Sequence, residues 1–206
     1  MARLQPAKPR RLDPVRRLIP WYTKRTYGRT MEPAGILAHH RRLLLGIAAA
    51  GRALEKSHAV PRRLRELAML RSAQVTGCEW CLDFGSKLAH DAGVPADDLR
   101  ELSRWRSSTR FDGLDRLALE YAEAMARTPA AVSDDLFARL REHFDERQIV
   151  ELTMAIALES LYNRSNQAFG IGSQGFSDGM YCAIPDLSAN LNGDAAQQVE
   201  SVGRRS

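Results

Sequence analysis

The chain reads as an all-α domain. Its composition is one ground: 44% of residues are hydrophobic, 27% charged and only 7% aromatic, with Leu and Ala plentiful. Apolar residues recurring three and four apart along most of the length are a second, since that spacing lines one face of a helix. The third is that no alternating run of β-branched or aromatic residues reads as a strand. At 206 residues the chain is long enough to bury a real core, and the composition argues against collagenous, disordered and disulfide-scaffold classes.

Residues 1–32 form a basic arm punctuated by Pro6, Pro9, Pro14 and Pro20. Nine Lys and Arg stand against Asp13 alone in residues 1–30, a net +8, which leaves −3 for the rest of a chain whose total is +5. The body is therefore mildly acidic, and the arm reads as a solvated extension lying across a neighbouring surface, with a phosphate or membrane-surface role as the alternative. It precedes no nucleic-acid module, so neither nucleic acid nor membrane is expected as a partner. Arg16-Arg17-Leu18-Ile19 runs into Pro20 and then Lys24 and Arg25, unlike a secretory signal. The apolar run from Leu43 to Ala50 is well short of the roughly 20 residues a membrane helix needs. A cytoplasmic location follows as the expectation.

The helical domain is expected over 33–184. Ile36, Leu37, His40, Leu43, Leu44 and Ile47 predict one helix from Pro33 to Leu54. Pro61 can open the next at its first turn, with Leu64, Leu67, Ala68, Leu70 and Val75 as its apolar face and Glu66 beside the buried side. A helix from about Cys78 to His90 ends where Gly93 caps and Pro95 blocks continuation. Asp97 to Trp105, Gly113 to Met125 and Ser133 to Glu142 read as three more, Ser133 serving as an N-cap. Asp145 opens a long helix through Val150, Met154, Leu158 and Tyr162 to Gly170. From 185 to 206 a loosely ordered tail is expected.

An offset of 85 residues superposes Glu66-Leu67-Ala68-Met69 on Glu151-Leu152-Thr153-Met154 and Phe84-Gly85 on Phe169-Gly170 without a gap. It predicts an internal helical-hairpin repeat, in which only the first copy carries cysteines and Asn163 and Asn166 stand opposite Cys78 and Cys81.

The chemistry concentrates at Cys78-Glu79-Trp80-Cys81. Cysteines three apart share one helix face and approach closely enough to pair. At a helix N-terminus the dipole lowers a thiol pKa and raises the thiolate fraction, and a carboxylate from an adjacent helix can take the proton. Two small buried hydrophobes are the plainer alternative. A zinc site lacks its further ligands, because Cys182 stands alone and His39, His40, His58 and His143 have no ligand spacing, so neither metal nor cofactor is expected. Trp80 either shields the thiolate or belongs to the core. Asn163, Arg164 and Asn166 either line a polar pocket or bond between helices.

Glu66, eleven residues, Cys78, two residues and Cys81 together resemble the AhpD-like alkyl hydroperoxidase branch of the carboxymuconolactone decarboxylase family. The strings Arg71-Ser72-Ala73-Gln74, Gly77-Cys78-Glu79-Trp80-Cys81-Leu82-Asp83-Phe84 and Tyr162-Asn163-Arg164-Ser165-Asn166 share the likeness, which spans roughly 34–182 and is firmest over 60–95. The resemblance implies an AhpD-like helical fold assembled as a homo-trimer or hexamer. It also implies Cys81 as the thiol that attacks a small-molecule hydroperoxide, Cys78 as the resolving thiol, Glu66 as proton acceptor, and a thiol or dithiol as reductant. The family pattern continues with His three residues on, where this chain has Gly85. His90 lies on the opposite side of the helix from Cys81. The competing functions are a non-catalytic helical oligomer with a redox-sensing or relic cysteine pair, and a carboxymuconolactone decarboxylase-like lyase.

Overall fold

Capping side chains set the helix ends in the computed structural model, which describes residues 2–8 and 13–183. Asp13 accepts from the Arg16 amide at 3.3 Å, Pro14 takes the first turn, and Gly28 closes the helix at φ 80°, so α1 (Pro14–Tyr27) forms inside the basic arm. Next come α2 (Glu32–Leu37), α3 (Arg41–Glu55), α4 (Arg62–Thr76) and α5 (Glu79–Asp91). After α6 (Ala96–Glu101) and a 3₁₀ turn at Leu102–Arg104 stand α7 (Gly113–Ala126), α8 (Asp134–His143) and α9 (Glu146–Phe169). Ser133 caps α8, and Asp145 with Gln148 forms a reciprocal capping box on α9. The architecture is all-helical, and among the described residues none lies in a strand. No helix there is long and apolar enough to cross a membrane.

Three expectations need correction. The helix expected from Pro33 to Leu54 is two, because His40 leaves helical geometry and its Nδ1 accepts from the Leu43 amide at 3.3 Å, making a fresh N-cap for α3. The helix expected from Asp97 to Trp105 is α6 followed by the tighter 3₁₀ turn. The 85-residue offset does not relate two hairpins: the Gly77 turn between α4 and α5 corresponds to Tyr162, which lies within the unbroken α9. The tail expected at 185–206 falls outside the described residues.

Helix α4 is the axis of the fold and packs against α5, α7 and α9. One apolar cluster gathers Leu67, Leu70, Trp80, Leu82, Leu119 and Phe176, and a second gathers Leu64, Leu117, Leu140, Leu152 and Ile156. Two buried carboxylates between the helices, Glu123 and Glu151, are paired. Glu123 on α7 accepts from Arg71 Nε at 2.7 Å, Trp105 Nε1 at 2.8 Å and both terminal nitrogens of Arg106. Glu151 on α9 accepts from Arg65, the Ser57 hydroxyl and the Ala59 and Val60 amides. Beyond α9 the chain turns at Gly170 and returns over α5, where the Asp83 carboxylate accepts from the amides of Gln174, Phe176 and Ser177 and the hydroxyls of Ser173 and Ser177. Burial acts to raise the Asp83 pKa, and these hydrogen bonds outweigh it and hold the group below its ordinary value.

Candidate active site

Cys78 leaves helical geometry just before α5 and caps it: its sulfur accepts from the Cys81 amide at 3.3 Å. Cys81 therefore sits in the first turn of α5, within the positive end of the helix dipole. The two are joined as a disulfide with Cα atoms 5.3 Å apart. Both are buried, but unequally placed, for Cys81 lines a cavity of about 790 Å³ whose wall does not include Cys78. Asn166, from α9, donates its side-chain amide to Cys81 Sγ at 3.4 Å.

The cavity runs between α1, α3, α4, α5 and α9 and is chiefly apolar, with Leu18, Ile19, Leu44, Met69, Phe84 and Leu158 in its wall. Trp80 stacks on Phe84 with ring centres 5.0 Å apart, while its Nε1 donates to Gln174 Oε1 at 2.7 Å. It thus serves both uses open from sequence, as a core side chain and as part of the wall beside the thiol. The same division separates the asparagines. Asn166 meets the sulfur, whereas Asn163 is fully buried and donates to Ser72 Oγ across α4 at 3.5 Å. Arg164 points elsewhere and donates to Thr128.

Glu66 lies on the same wall, 7% exposed, with Arg62 Nε and an Arg65 terminal nitrogen each 3.7 Å away. Burial raises its pKa more than the two guanidinium groups lower it. Cys81 and Glu66 are thus brought to one cavity. Helix α9 adds Glu159, which the sequence reading missed. It is 8% exposed, and burial and then the Glu66 charge push its pKa up to about 8. The signal was present: Glu159 is the one acid in the buried stripe Ile149, Leu152, Ile156, Glu159, Asn163, Asn166, spaced alternately three and four apart. Tyr27 and Tyr162, on the same wall, are pushed to about 12, chiefly by burial. Cys182 is a free thiol, half-buried, 3.9 Å from the Ser86 hydroxyl.

Gly85 sits one turn beyond Cys81, and a Cβ built there would come within 2.9 Å of Leu70 Cδ2. Leu70 is buried and both residues line the cavity, so a histidine at 85 must push the end of the Leu70 side chain aside. A Gly85→His variant is expected to lose about 1–3 kcal/mol through overpacking and to gain no rate. Urea denaturation and a peroxide assay of the same preparation check both halves. A faster reaction with peroxide at unchanged stability would show that Leu70 yields.

The sequence profile of the carboxymuconolactone decarboxylase family matches residues 42–124. YnjA of Escherichia coli is 41% identical over 123 residues, a match covering 60% of this chain and 65% of that protein, just under two thirds of its length. YdfG of Bacillus subtilis is 32% identical over 116 residues, covering 56% and 79% respectively. Among solved structures, a protein of unknown function from Agrobacterium tumefaciens, for which a role as the antioxidant defence protein AhpD has been suggested, is 25% identical with a TM-score of 0.63, covering 66% of this chain and 94% of its own. The debrominase Bmp8 shares the fold at 18% identity and a TM-score of 0.75, covering 84% and 93%.

Proposed function

The chain belongs to the carboxymuconolactone decarboxylase family, and from that footing we propose that it is a thiol-dependent oxidoreductase of the AhpD-like kind that reduces organic hydroperoxides. One observation carries the reading: of two cysteines able to form a disulfide, only Cys81 opens on a mainly apolar cavity. That cavity suits a hydroperoxide with a bulky apolar body. Cys81 as thiolate attacks the outer peroxide oxygen, the O–O bond breaks, and the alkoxide takes a proton to leave as the alcohol, while Cys81 becomes a sulfenic acid. The Cys78 thiol then attacks that sulfur, water departs and the disulfide forms. An external dithiol restores both thiols through a mixed disulfide.

Helix position supports these roles. The N-terminal end of α5 favours the Cys81 thiolate, and the Asn166 amide donates to the sulfur that carries the charge. A lyase acting on an acidic lactone is disfavoured, because Glu55, Glu66 and Glu159 line the cavity against Arg52 and an Arg65 already engaged by Glu151. Assembly as a homo-oligomer is part of the proposal, supported by exposed Leu43 and Leu45 on α3 and Val150, Met154 and Leu161 on α9.

The test is a thiol count after one equivalent of cumene hydroperoxide. The reduced protein should lose two thiols within seconds to minutes and regain them with dithiothreitol. No loss would remove the enzyme and leave a relic pair; loss only over hours would favour a slow redox sensor.

A further inference from the structure

A gap in proton handling remains at the site. A lone carboxylate flanked by Arg62 and Arg65 is a weak base for a thiol, whose proton affinity is greater by about four pKa units. Proton transfer works best when donor and acceptor are matched near the working pH. The histidine that would supply that match is replaced by Gly85, with Leu70 packed against it. On the same cavity wall, from α9 packed on α4, stands a second buried carboxyl, Glu159, and among the described residues no hydrogen bond or ion pair reaches it. Its carboxyl opens on the cavity that Glu66 and Cys81 also line.

We propose that Glu159 and Glu66 form a carboxyl pair that keeps one proton between them and takes the histidine's place in serving Cys81. The inference rests on the peroxidase reading given above. Two like charges held together in a dry site do not both ionise readily, so the first proton is retained and the pair can take or give another. In the cycle Glu66 accepts the Cys81 proton as the thiolate forms. The alkoxide released by O–O cleavage takes one proton back, the alcohol leaves, and the pair again holds a single proton. Glu159 acts through Glu66 by keeping its proton affinity high enough to be useful.

The groups facing the pair fit this assignment. Arg62 and Arg65 on α4 approach Glu66 only, each at 3.7 Å, and Arg65 is committed to Glu151 and to the Leu54 and Ser57 carbonyls. From α3 come Arg52 and Glu55, the latter accepting from the Tyr27 hydroxyl at 3.5 Å. Tyr22 and Tyr27 of α1 and Tyr162 of α9 complete the titratable wall with Cys81 of α5, and Tyr27 and Tyr162 stay protonated throughout the working range. The pKa of about 8 at Glu159 leaves its proton in place at neutral pH and releases it just above.

The experiment compares the full-length wild type with Glu159→Gln, which keeps the size of the side chain. Reduced protein is mixed with cumene hydroperoxide from about pH 6 to about pH 9, and thiol loss is timed. The wild-type rate should level off or fall as the pH passes about 8. Glu159→Gln should be about 10²-fold slower near neutrality and climb steadily with pH as an ordinary thiol does. Alkylation of Cys81 by iodoacetamide, which also requires the thiolate, should slow in Glu159→Gln too, but by less than the peroxide reaction because its leaving group needs no proton; unchanged alkylation would overturn the assignment of the pair as base to Cys81. Infrared titration of the disulfide form reads the pair without any peroxide: one buried carboxyl should titrate above neutrality in the wild type and vanish in Glu159→Gln. No such carboxyl in the wild type, or identical rates and profiles in the two proteins, would also overturn it. If no hydroperoxide oxidises the wild type, the peroxidase reading fails while the infrared result still decides whether the pair exists.

Discussion

Replacing Cys81 by Ser should reduce hydroperoxide consumption to the rate of buffer, a loss of about 10⁴-fold or more. The reason lies in what the cavity can reach. Cys78 caps α5 and is absent from the cavity wall, so it cannot substitute as the attacking thiol. Cys182 is held near Ser86 and is not on that wall either. Cys78→Ser should behave differently: one equivalent of peroxide is reduced, the cycle halts at a Cys81 sulfenic acid, and dimedone labels it. Both results are read by peroxide consumption and intact-protein mass. If Cys81→Ser remained active while Cys78→Ser was dead, the two roles would have to be exchanged.

The second large effect concerns stability. Glu123→Gln should destabilise the fold by about 3 kcal/mol, because it leaves half-buried Arg71 beside an uncharged amide. Glu123 is 5% exposed, and burial alone would raise its pKa; the hydrogen bonds from Arg106 and Trp105 and the charge of Arg71 overturn that and bring it to about 2. A depressed carboxyl contributes its stabilisation above its unfolded pKa and loses it as the pH falls through the folded one. The Glu123 contribution, about 3 kcal/mol, is therefore complete above about pH 4.5 and gone below about pH 2. Urea midpoints measured from neutral to acid pH should fall across that window in the wild type and be flatter in Glu123→Gln. Glu120→Gln, which breaks a half-exposed pair with Arg139, serves as control and should leave the midpoint nearly unchanged.

Much of this fold is legible from local chemistry. Ser133, Asp145 and Gly170 mark helix ends because a cap depends only on its own few residues. The break at His40 escapes the same reading, since a histidine ring acting as N-cap lies outside the usual Ser, Thr, Asp and Asn preference. In α1 the charge of the arm masks an ordinary start and stop, Asp13-Pro14 and Gly28, and its Leu18 and Ile19 reach the cavity only because the helix packs on α2 and lines one side of the wall. Cys78, Cys81 and Glu66 are visible through their spacing. Glu159 is visible as an acid in a buried stripe, but its raised proton affinity is not, because that comes first from burial and then from Glu66, 93 positions away, which only the packing of α4 on α9 supplies.

That dependence on α9 also says what the unit of inheritance is. The family profile ends at residue 124, before α8 and α9 begin. Yet α9 brings Glu151 to Arg65, Asn163 to Ser72 and Asn166 to Cys81. A chain cut at the profile's edge would leave an uncompensated arginine in its interior, an open apolar face on α4 and a reactive cysteine without its amide. The stretch matched by the family profile is thus shorter than the stretch that completes the site, and any transplant of the cysteine motif into another scaffold must carry the last long helix with it.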